Sequence, residues 1–481
     1  MKKARKYWGS MMWNFERFNS NIAFIDETGE ETTYSGLQSA CSTLVSHMHG
    51  RSLSFNLCTN EKGSVLGYAA FIDRRIVPLL LDATLDRGLL NSLINRYKPD
   101  YIWLPEHMKT DIPDCSEVCA IWGYTLLKTP HNSEFPLFDE LALLLTTSGS
   151  TGSPKLVRQS YKNIKANTES IVEYLKLVAN ERPMTTMPMS YTYGLSIINS
   201  HLWVGASIIL TQKTLMQKEF WQQFKDYEAT SFGGVPYIYE MLEKLRFFRM
   251  DLPKLRTMTQ AGGKLSPELH RKFAEYAQDS GKNFIVMYGQ TEATARMSYL
   301  PAGKSLEKYG SMGIAIPGGE LSLIDVDGSE IAQADIVGEL VYKGDNVTLG
   351  YAETGSDLIH GDERGGVLET GDMAKRDTDG YYYITGRKKR FLKIYGNRIN
   401  LDEIEGILNE AFPDMECACG GVDDMITIYC VNPGAVEGIV KFVTGKTGLN
   451  HAAFQTVIVE KIPRNEAGKI MYSELNSHDN E

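Results

Sequence analysis

Short apolar runs that stop at polar turns recur along the middle of the chain. IVPLLLD, LALLLTT, ASIILTQ and NFIVMYG each read as a buried strand ending in a turn, because apolar runs of this length without alternation suit strands covered on both faces. Stretches between them carry helical periodicity. Ser160 opens one, SYKNIKANTESIVEYLKL, with Ile164, Ile171, Val172 and Leu175 at helical spacing behind a residue able to cap the first turn. Strands alternating with helices predict a layered α/β protein.

From about residue 310 the texture changes. GELSLIDVDGSE, GELVYKGD and DTDGYYYITGR are short strands broken by Gly and Asp turns, which predicts a smaller β-rich subdomain. A second boundary falls near residue 386. GRKKRFLKIYGNRINLDEIEGIL passes from turn to basic loop to helix, with Asp402 as the expected N-cap and Ile404, Ile407, Leu408 and Ala411 on one face. The last hundred residues are expected to form a small α+β domain around MITIYCV. The expected division is a large layered α/β domain over 1–386 and a small domain over 387–481.

A chain of 481 residues has room for two to four domains. Its 43% hydrophobic and 23% charged content is that of a soluble globular protein. The net charge of −10 argues against broad binding to nucleic acid or anionic membranes, so an anionic ligand has to be held by a local site. The start, MKKARKYWGSMMWNF, is basic but lacks the apolar run of a secretory leader, and no run of about 18 apolar residues suggests a membrane span. The seven cysteines show no paired CxxC spacing; buried or incidental thiols in a reduced, cytoplasmic protein are expected rather than a metal site.

The most informative stretch is LLLTTSGSTGSPKLV, Leu143–Val157. An apolar strand runs into Thr, Ser and Gly and closes on Pro-Lys, then feeds towards the capped helix. Backbone N–H groups of such a turn can converge on an anion, hydroxyls add donors and the lysine adds charge. The spacing is not that of a Walker A loop. Phosphate binding by Thr147, Ser148, Gly149, Ser150, Thr151, Gly152 and Lys155 is therefore expected. The six basic residues within Arg387–Arg398 read as a second phosphate-side surface rather than a targeting signal.

TTSGSTGSPKLV resembles the signature loop of the AMP-forming adenylate superfamily, which holds acyl- and aryl-CoA ligases, peptide-synthetase adenylation domains and luciferases. Five further stretches occur in that family's order: QAGGKL, YGQTE, ETGDMAKRDTDGYYYITGRKKR, KIYGNRINLDEIE and PRNEAGKI. The resemblance implies a large N-terminal domain and a small mobile C-terminal one. It implies activation of a small carboxylic acid by ATP and Mg²⁺ as an acyl-adenylate, followed by transfer to the thiol of coenzyme A or of a phosphopantetheinyl carrier protein acting in trans.

By family position Lys469 would bridge the substrate carboxylate and the α-phosphate. Glu292, with Thr147, would hold Mg²⁺, and Thr291 would contact phosphate. Asp372, on its own an Asp in a turn, would accept from the ribose hydroxyls, joined by Arg387. Gly262 and Gly263 would let backbone approach the adenine, with Tyr288 stacking on it and Gly289 beside it. Tyr191 and Gly194 fall in the stretch lining the acid pocket. Lys389 would be the hinge, and Lys393, Gly396 and Arg398 would lie on the surface presented for thioester formation, a domain alternation between the two half-reactions.

Departures from the family pattern are Tyr191, where His is frequent, Val286, where Asn or Asp often meets the adenine amino group, and Leu156, where Gly is commonest. PMSYTYGLSIINSHLWVGA lacks the Asp that pairs with an α-ammonium, which disfavours an α-amino acid, and His201 within it reads as a helix or core residue. An amide- or ester-forming synthetase, an amino-acid-adenylating enzyme and a nucleotide-binding relative without turnover are the alternatives. The presence of Lys469, Glu292, Asp372 and Arg387 weighs against the last.

Overall fold

The computed structural model describes residues 12–112, 114–146, 155–325, 327–395, 397–413, 415–431, 436–464 and 470–475. Among them the strands assemble into sheets of eight, nine, four, two and three strands. In the eight-stranded sheet Val77–Asp82 and Leu141–Thr146, the strands expected from IVPLLLD and LALLLTT, lie side by side and parallel, with Leu53–Cys58 parallel on the other flank of Val77–Asp82. The nine-stranded sheet has a parallel centre of Pro183–Met184, Ser231–Gly234, Thr257–Gln260 and Asn283–Tyr288. ASIILTQ contributes only Ile208–Ile209 to it.

Helices buried almost all round fill the space between these sheets. Every residue from Gly63 to Ile72 of the Lys62–Asp73 helix is buried, as is Thr192 to Leu202 of the Thr192–Val204 helix. One apolar cluster joins Leu80, Leu143 and Leu145 of the eight-stranded sheet to Phe24 and Ile208 of the nine-stranded sheet through Leu66, Tyr68, Leu195 and Ile198. Apolar residues on every face are what a helix between two sheets requires. His201 sits in this layer, its Nδ1 2.7 Å from the Ile197 carbonyl.

The stretch after the glycine-rich loop departs from expectation. The chain does not enter the helix directly but returns as the strand Leu156–Ser160, antiparallel to Leu141–Thr146. The loop thus joins two adjacent strands, and the helix Tyr161–Leu175 starts five residues too late to aim its N-terminus at it. Ser160 does cap that helix, in a reciprocal pair with Asn163. The helix's buried face is also less apolar than expected: Asn163, Asn167, Thr168 and Ser170 accompany Ile164 and Ile171.

The β-rich subdomain is an antiparallel sheet ordered Gly319–Ile324, Gly338–Gly344, Val367–Arg376, Tyr382–Arg387. Asp372, read from sequence as a turn residue, lies inside the third of these strands, where its neighbours satisfy its backbone in the ladder. Beyond Arg387 a hairpin, Phe391–Ile394 with Asn397–Asn400, leads into the helix Leu401–Ala411. That helix and Val436–Thr447 cover a sheet of Cys417–Val422, Met425–Cys430 and Phe454–Ile458 around Ile404, Leu408, Ile426, Ile428 and Val443. The MITIYCV strand is its centre. The mixed α/β architecture with a large first part and a small second part is the one expected.

Two local readings are corrected. The N-cap of the Leu401–Ala411 helix is Asn400, whose Oδ1 accepts from the Asp402 amide at 3.0 Å, and Ala411 is exposed. Three residues of the Arg387–Arg398 basic run have partners within the chain. Arg387 pairs with Asp372, Lys388 with Glu339, and Arg390 turns inward to Asp402 and Glu405 while lying over the Tyr472 ring. All seven cysteines are free thiols, five of them buried. Among the described residues no helix is long and apolar enough to cross a membrane.

Candidate active site

The glycine-rich loop residues Thr147, Ser148, Gly149, Ser150, Thr151 and Gly152 lie outside the described residues, as do Gly396 and Lys469. Lys393 and Arg398 are register partners in the pairing of Phe391–Ile394 with Asn397–Asn400, and Lys389 is in the short turn of helix before it. The strands that flank the glycine-rich loop bring its ends to one edge of the eight-stranded sheet, where Lys155 re-enters with its Nζ 2.7 Å from Glu353 Oε1.

Beside Lys155 stands Tyr351, a residue the sequence reading passed over. Two cations lie close to its ring, Lys155 Nζ 5.8 Å and the Arg364 guanidinium 4.8 Å from the centroid. Its hydroxyl donates to Glu292 Oε1 at 2.7 Å. Burial and the Glu292 charge push the Tyr351 phenol up to about 12, so it stays a donor. Arg158, fully buried, fixes this tyrosine from behind: its Nε donates to the Tyr351 carbonyl at 2.9 Å while its Nη2 pairs with Glu363. Tyr351 follows Gly350 just past the GELVYKGD strand, in a stretch with no periodicity of its own.

The loop carrying Glu292 is held from several sides. Its carbonyl accepts from Thr348 N at 3.0 Å and Oγ1 at 2.9 Å. Thr294 adopts φ +66 and ψ −59, a γ-turn conformation that β-branched residues avoid, closed by Ala295 N donating to the Ala293 carbonyl at 2.7 Å. Such strain persists only where the surroundings enforce it. Here Thr294 Oγ1 donates to Asn346 O at 2.7 Å, Asn346 Nδ2 to the Ala293 carbonyl at 2.9 Å, and Asn167 Nδ2 to the Arg296 carbonyl at 2.8 Å. The polar face of the Tyr161–Leu175 helix therefore positions this loop. Gly289 is required for the same reason, since a Cβ there would stand 1.8 Å from the Ala295 carbonyl oxygen.

A carboxylate cradle forms next to it. Asp372 is 3% exposed and sits opposite Arg387 in the strand register, with Arg387 Nε 2.7 Å from Oδ1. Tyr288 Oη donates to Oδ2 at 2.5 Å and Gln290 Nε2 at 2.8 Å. Burial and the Asp372 charge hold the Tyr288 phenol well above its ordinary range, so it donates. Gln290, the second residue missed, is the Q of YGQTE. Thr291 follows it at the start of the turn that presents Glu292.

Across from these groups, Gly262 turns with φ +81, and Gln260 Nε2 ties the turn by donating to the Gly263 carbonyl at 2.9 Å. Tyr191 comes close enough that a Cβ on Gly262 would lie 2.7 Å from its hydroxyl. A small cavity opens between Tyr191, Tyr193, Gly262, Gly289 and Arg296. Gly194 does not line it; the glycine lets the Thr192–Val204 helix close on the Pro188 carbonyl oxygen, 2.2 Å from where a Cβ would be. Val286 faces an apolar cluster with Val235 and Leu265.

The chain is similar to known proteins in sequence and in fold. Oxalate–CoA ligase of Saccharomyces cerevisiae is 28% identical over 353 residues, 70% of this chain and 63% of that protein. Oxalate–CoA ligase of Arabidopsis thaliana is 30% identical over 275 residues, 56% of this chain and 52% of that protein. The match thus spans between half and two thirds of these relatives' length. O-succinylbenzoate coenzyme A synthetase from Bacillus subtilis, solved with AMP, has the same fold with a TM-score of 0.77 at 20% identity, covering 97% of this chain and 98% of that one. ATP-bound MatB from Rhodopseudomonas palustris gives 0.76 at 20% identity, covering 98% and 99%. The family model described as AMP-binding enzyme matches residues 85–352, more than half of the chain, and the chain belongs to that family.

Proposed function

We propose that this protein couples a carboxylic acid to a thiol at the expense of ATP. An acid oxygen attacks the α-phosphorus, the bond to pyrophosphate breaks, and an acyl-adenylate forms. A pantetheine thiol then attacks the acyl carbon, loses its proton to solvent and expels AMP. The observation that carries this reading is the cradle around Asp372 set beside the clamped Glu292 loop, in a chain of the AMP-binding family.

The first step brings one anion to another, so fixed cations and donors supply most of its catalysis. Lys155 and Arg364, both near the Tyr351 ring, would neutralise the departing pyrophosphate, with Lys469 as the cation at the attacked α-phosphate. Asp372 has two acceptor oxygens for vicinal ribose hydroxyls, and Arg387 and Gln290 orient it. The donor set near Glu292 suits Mg²⁺: a carboxylate whose Oε1 is fixed by Tyr351, with its other oxygen unbonded among the described residues. Mg²⁺ bound there supplies charge to phosphate oxygens. Thr147 belongs to the same expected set.

We place the division of domains at 386/387, where the Tyr382–Arg387 strand ends, with Lys389 as hinge and the Lys393–Arg398 hairpin turning towards the acyl group for transfer. Relatives named as CoA ligases favour coenzyme A as acceptor; a carrier protein in trans is the other acceptor this chemistry admits. Seven free thiols fit a reducing compartment such as the cytoplasm.

The test is pyrophosphate release from Mg-ATP across fatty, aryl, hydroxy, dicarboxylic and amino acids, without thiol and then with coenzyme A. Release driven by one class of acid and raised by coenzyme A is the expected result. ATP binding with no release for any acid, with or without thiol, would refute the reading.

A further inference from the structure

The cavity beside the nucleotide motifs is bordered by a buried charge with no counter-charge among the described residues. Arg296 is 2% exposed. Its Nη1 donates to the Tyr174 hydroxyl at 3.0 Å and lies 3.2 Å from Met287 Sδ, both neutral. Its Nε is buried with no partner, and no carboxylate stands within ion-pair distance among the described residues. The guanidinium lies 5.1 Å from the centre of the Tyr193 ring, which offsets part of the cost of burial but does not use its N–H donors.

The rest of the chain treats buried arginines differently. Arg158 is fully buried and meets Glu363 as well as backbone carbonyls. Arg390, 12% exposed, meets Asp402 and Glu405. Pairing of this kind is the rule because an isolated buried charge is expensive. Arg296 alone of these three has been left for something else to pair with.

Its surroundings are neutral as well. Burial holds the Tyr174 phenol above its ordinary range and pushes Tyr193 up to about 12 and His201 down to about 4, so none of the three supplies a negative charge near neutral pH. The backbone under Arg296 is fixed by Asn167 and Asn346, both donating to its carbonyl. A side chain so positioned cannot readily swing out to solvent.

The cavity it borders places this charge where an acid has to sit. Gly262 and Gly289 belong to the nucleotide motifs, and Tyr191 closes the other side. An acid whose carboxylate reaches the α-phosphate extends its far end from that wall into this space. The room there for the centre of a water-sized sphere is only about 20 Å³, enough for a water or a small polar group and not for a long alkyl chain.

We infer that the acid is a short dicarboxylic acid whose second carboxylate pairs with Arg296. One carboxylate is activated; the other stays ionised and completes the arginine's bonds. The inference rests on the acid-activating reading above and narrows its substrate class. Arg296 acts on specificity and takes no part in the bonds that form and break.

Matched pairs of acids test it: malonate against its monomethyl ester, and succinate against its monomethyl ester. Pyrophosphate release from Mg-ATP is measured for the wild type, Arg296→Met and Arg296→Lys, with kcat and KM for the acid separated. The wild type should prefer one diacid over its partner by at least about tenfold in kcat/KM, as loss of a charged hydrogen-bonded pair implies. Arg296→Met should abolish that preference through KM, and Arg296→Lys should retain part of it. Equal use of both members of every pair by the wild type, or an equal loss for both in Arg296→Met, overturns the inference and leaves acid activation standing. If Arg296→Met does not fold, the wild-type preferences and the lysine variant decide. Silence for all acids while Mg-ATP still binds overturns acid activation and this inference together.

Discussion

Asp372 and Arg387 are register partners on adjacent antiparallel strands, and the guanidinium Nε lies 2.7 Å from a carboxylate oxygen that is almost wholly buried. The pair joins the last strand of the β-rich sheet to the nucleotide-side cradle, so the cradle is completed two residues before Lys389, the expected hinge. Asp372→Ala should therefore weaken ATP rather than the acid. The loss of charge-assisted hydrogen bonds predicts an increase in KM for ATP of roughly ten- to a hundredfold. Steady-state pyrophosphate release at saturating acid measures it, and an unchanged KM for ATP would count against the cradle as the ribose site.

Tyr351→Phe tests the other half of the site. It removes the hydroxyl that fixes Glu292 Oε1 and keeps the ring beside Lys155 and Arg364. The concentration of Mg²⁺ needed for half-maximal activity should rise by about fivefold or more, a loss of one hydrogen bond to a charged group, while KM for the acid stays put. A Mg²⁺ titration at fixed ATP reads this directly. A uniform fall in kcat at every Mg²⁺ concentration would instead assign Tyr351 a purely structural place.

Much of this arrangement was legible in the chain. The apolar runs at 77–82, 141–146 and 283–288 became central strands because nothing but burial on both faces suits them, and Ser160 capped its helix as its side chain dictates. Asp372 and Arg387 were legible as a pair, whereas Tyr288 was read as stacking on the adenine and the bond from its hydroxyl to Asp372 was not legible. Tyr351, Gln290 and Arg364 escaped because a Tyr after Gly, a Gln in a turn and an Arg in a polar loop have no periodicity to betray them. What gives them meaning is long-range pairing: Tyr351 meets Glu292 from 59 positions away. The internal pairing of Lys388 and Arg390 was hidden for the same reason, since a basic run shows its charge in sequence and its carboxylate partners only in space.

The two half-reactions should separate by mutation. Lys469→Ala is expected to lose adenylate formation by several orders of magnitude while ATP binding persists, because a cation placed at the attacked phosphorus acts on the transition state more than on the ground state. Lys393→Ala is expected to spare pyrophosphate release without thiol and to slow thioester formation. Single-turnover assays with and without coenzyme A distinguish the steps. Equal loss of both half-reactions in the Lys393 variant would remove the case for two arrangements of the small domain.

Stability should fall in mild acid for a reason that lies outside the site. His270 is buried, its Nε2 3.0 Å from Ser305 Oγ and its Nδ1 accepting from the Gly310 amide at 3.1 Å, so the ring has to stay neutral to keep that acceptor. Burial pushes its pKa down to about 4, and His201 likewise. An unfolded imidazole takes its proton near pH 6.5. Between these values the unfolded chain binds more protons than the folded one, so stability rises with pH across the window and is lost as pH falls from about 6.5 towards 4. Each ring accounts for at most roughly 3 kcal/mol of that loss. Urea unfolding at intervals from pH 7 to 4.5 should show the decline, and His270→Gln should be less stable at pH 7 yet lose less on acidification. Parallel curves for variant and wild type would mean that His270 is not one of the groups that titrate on unfolding.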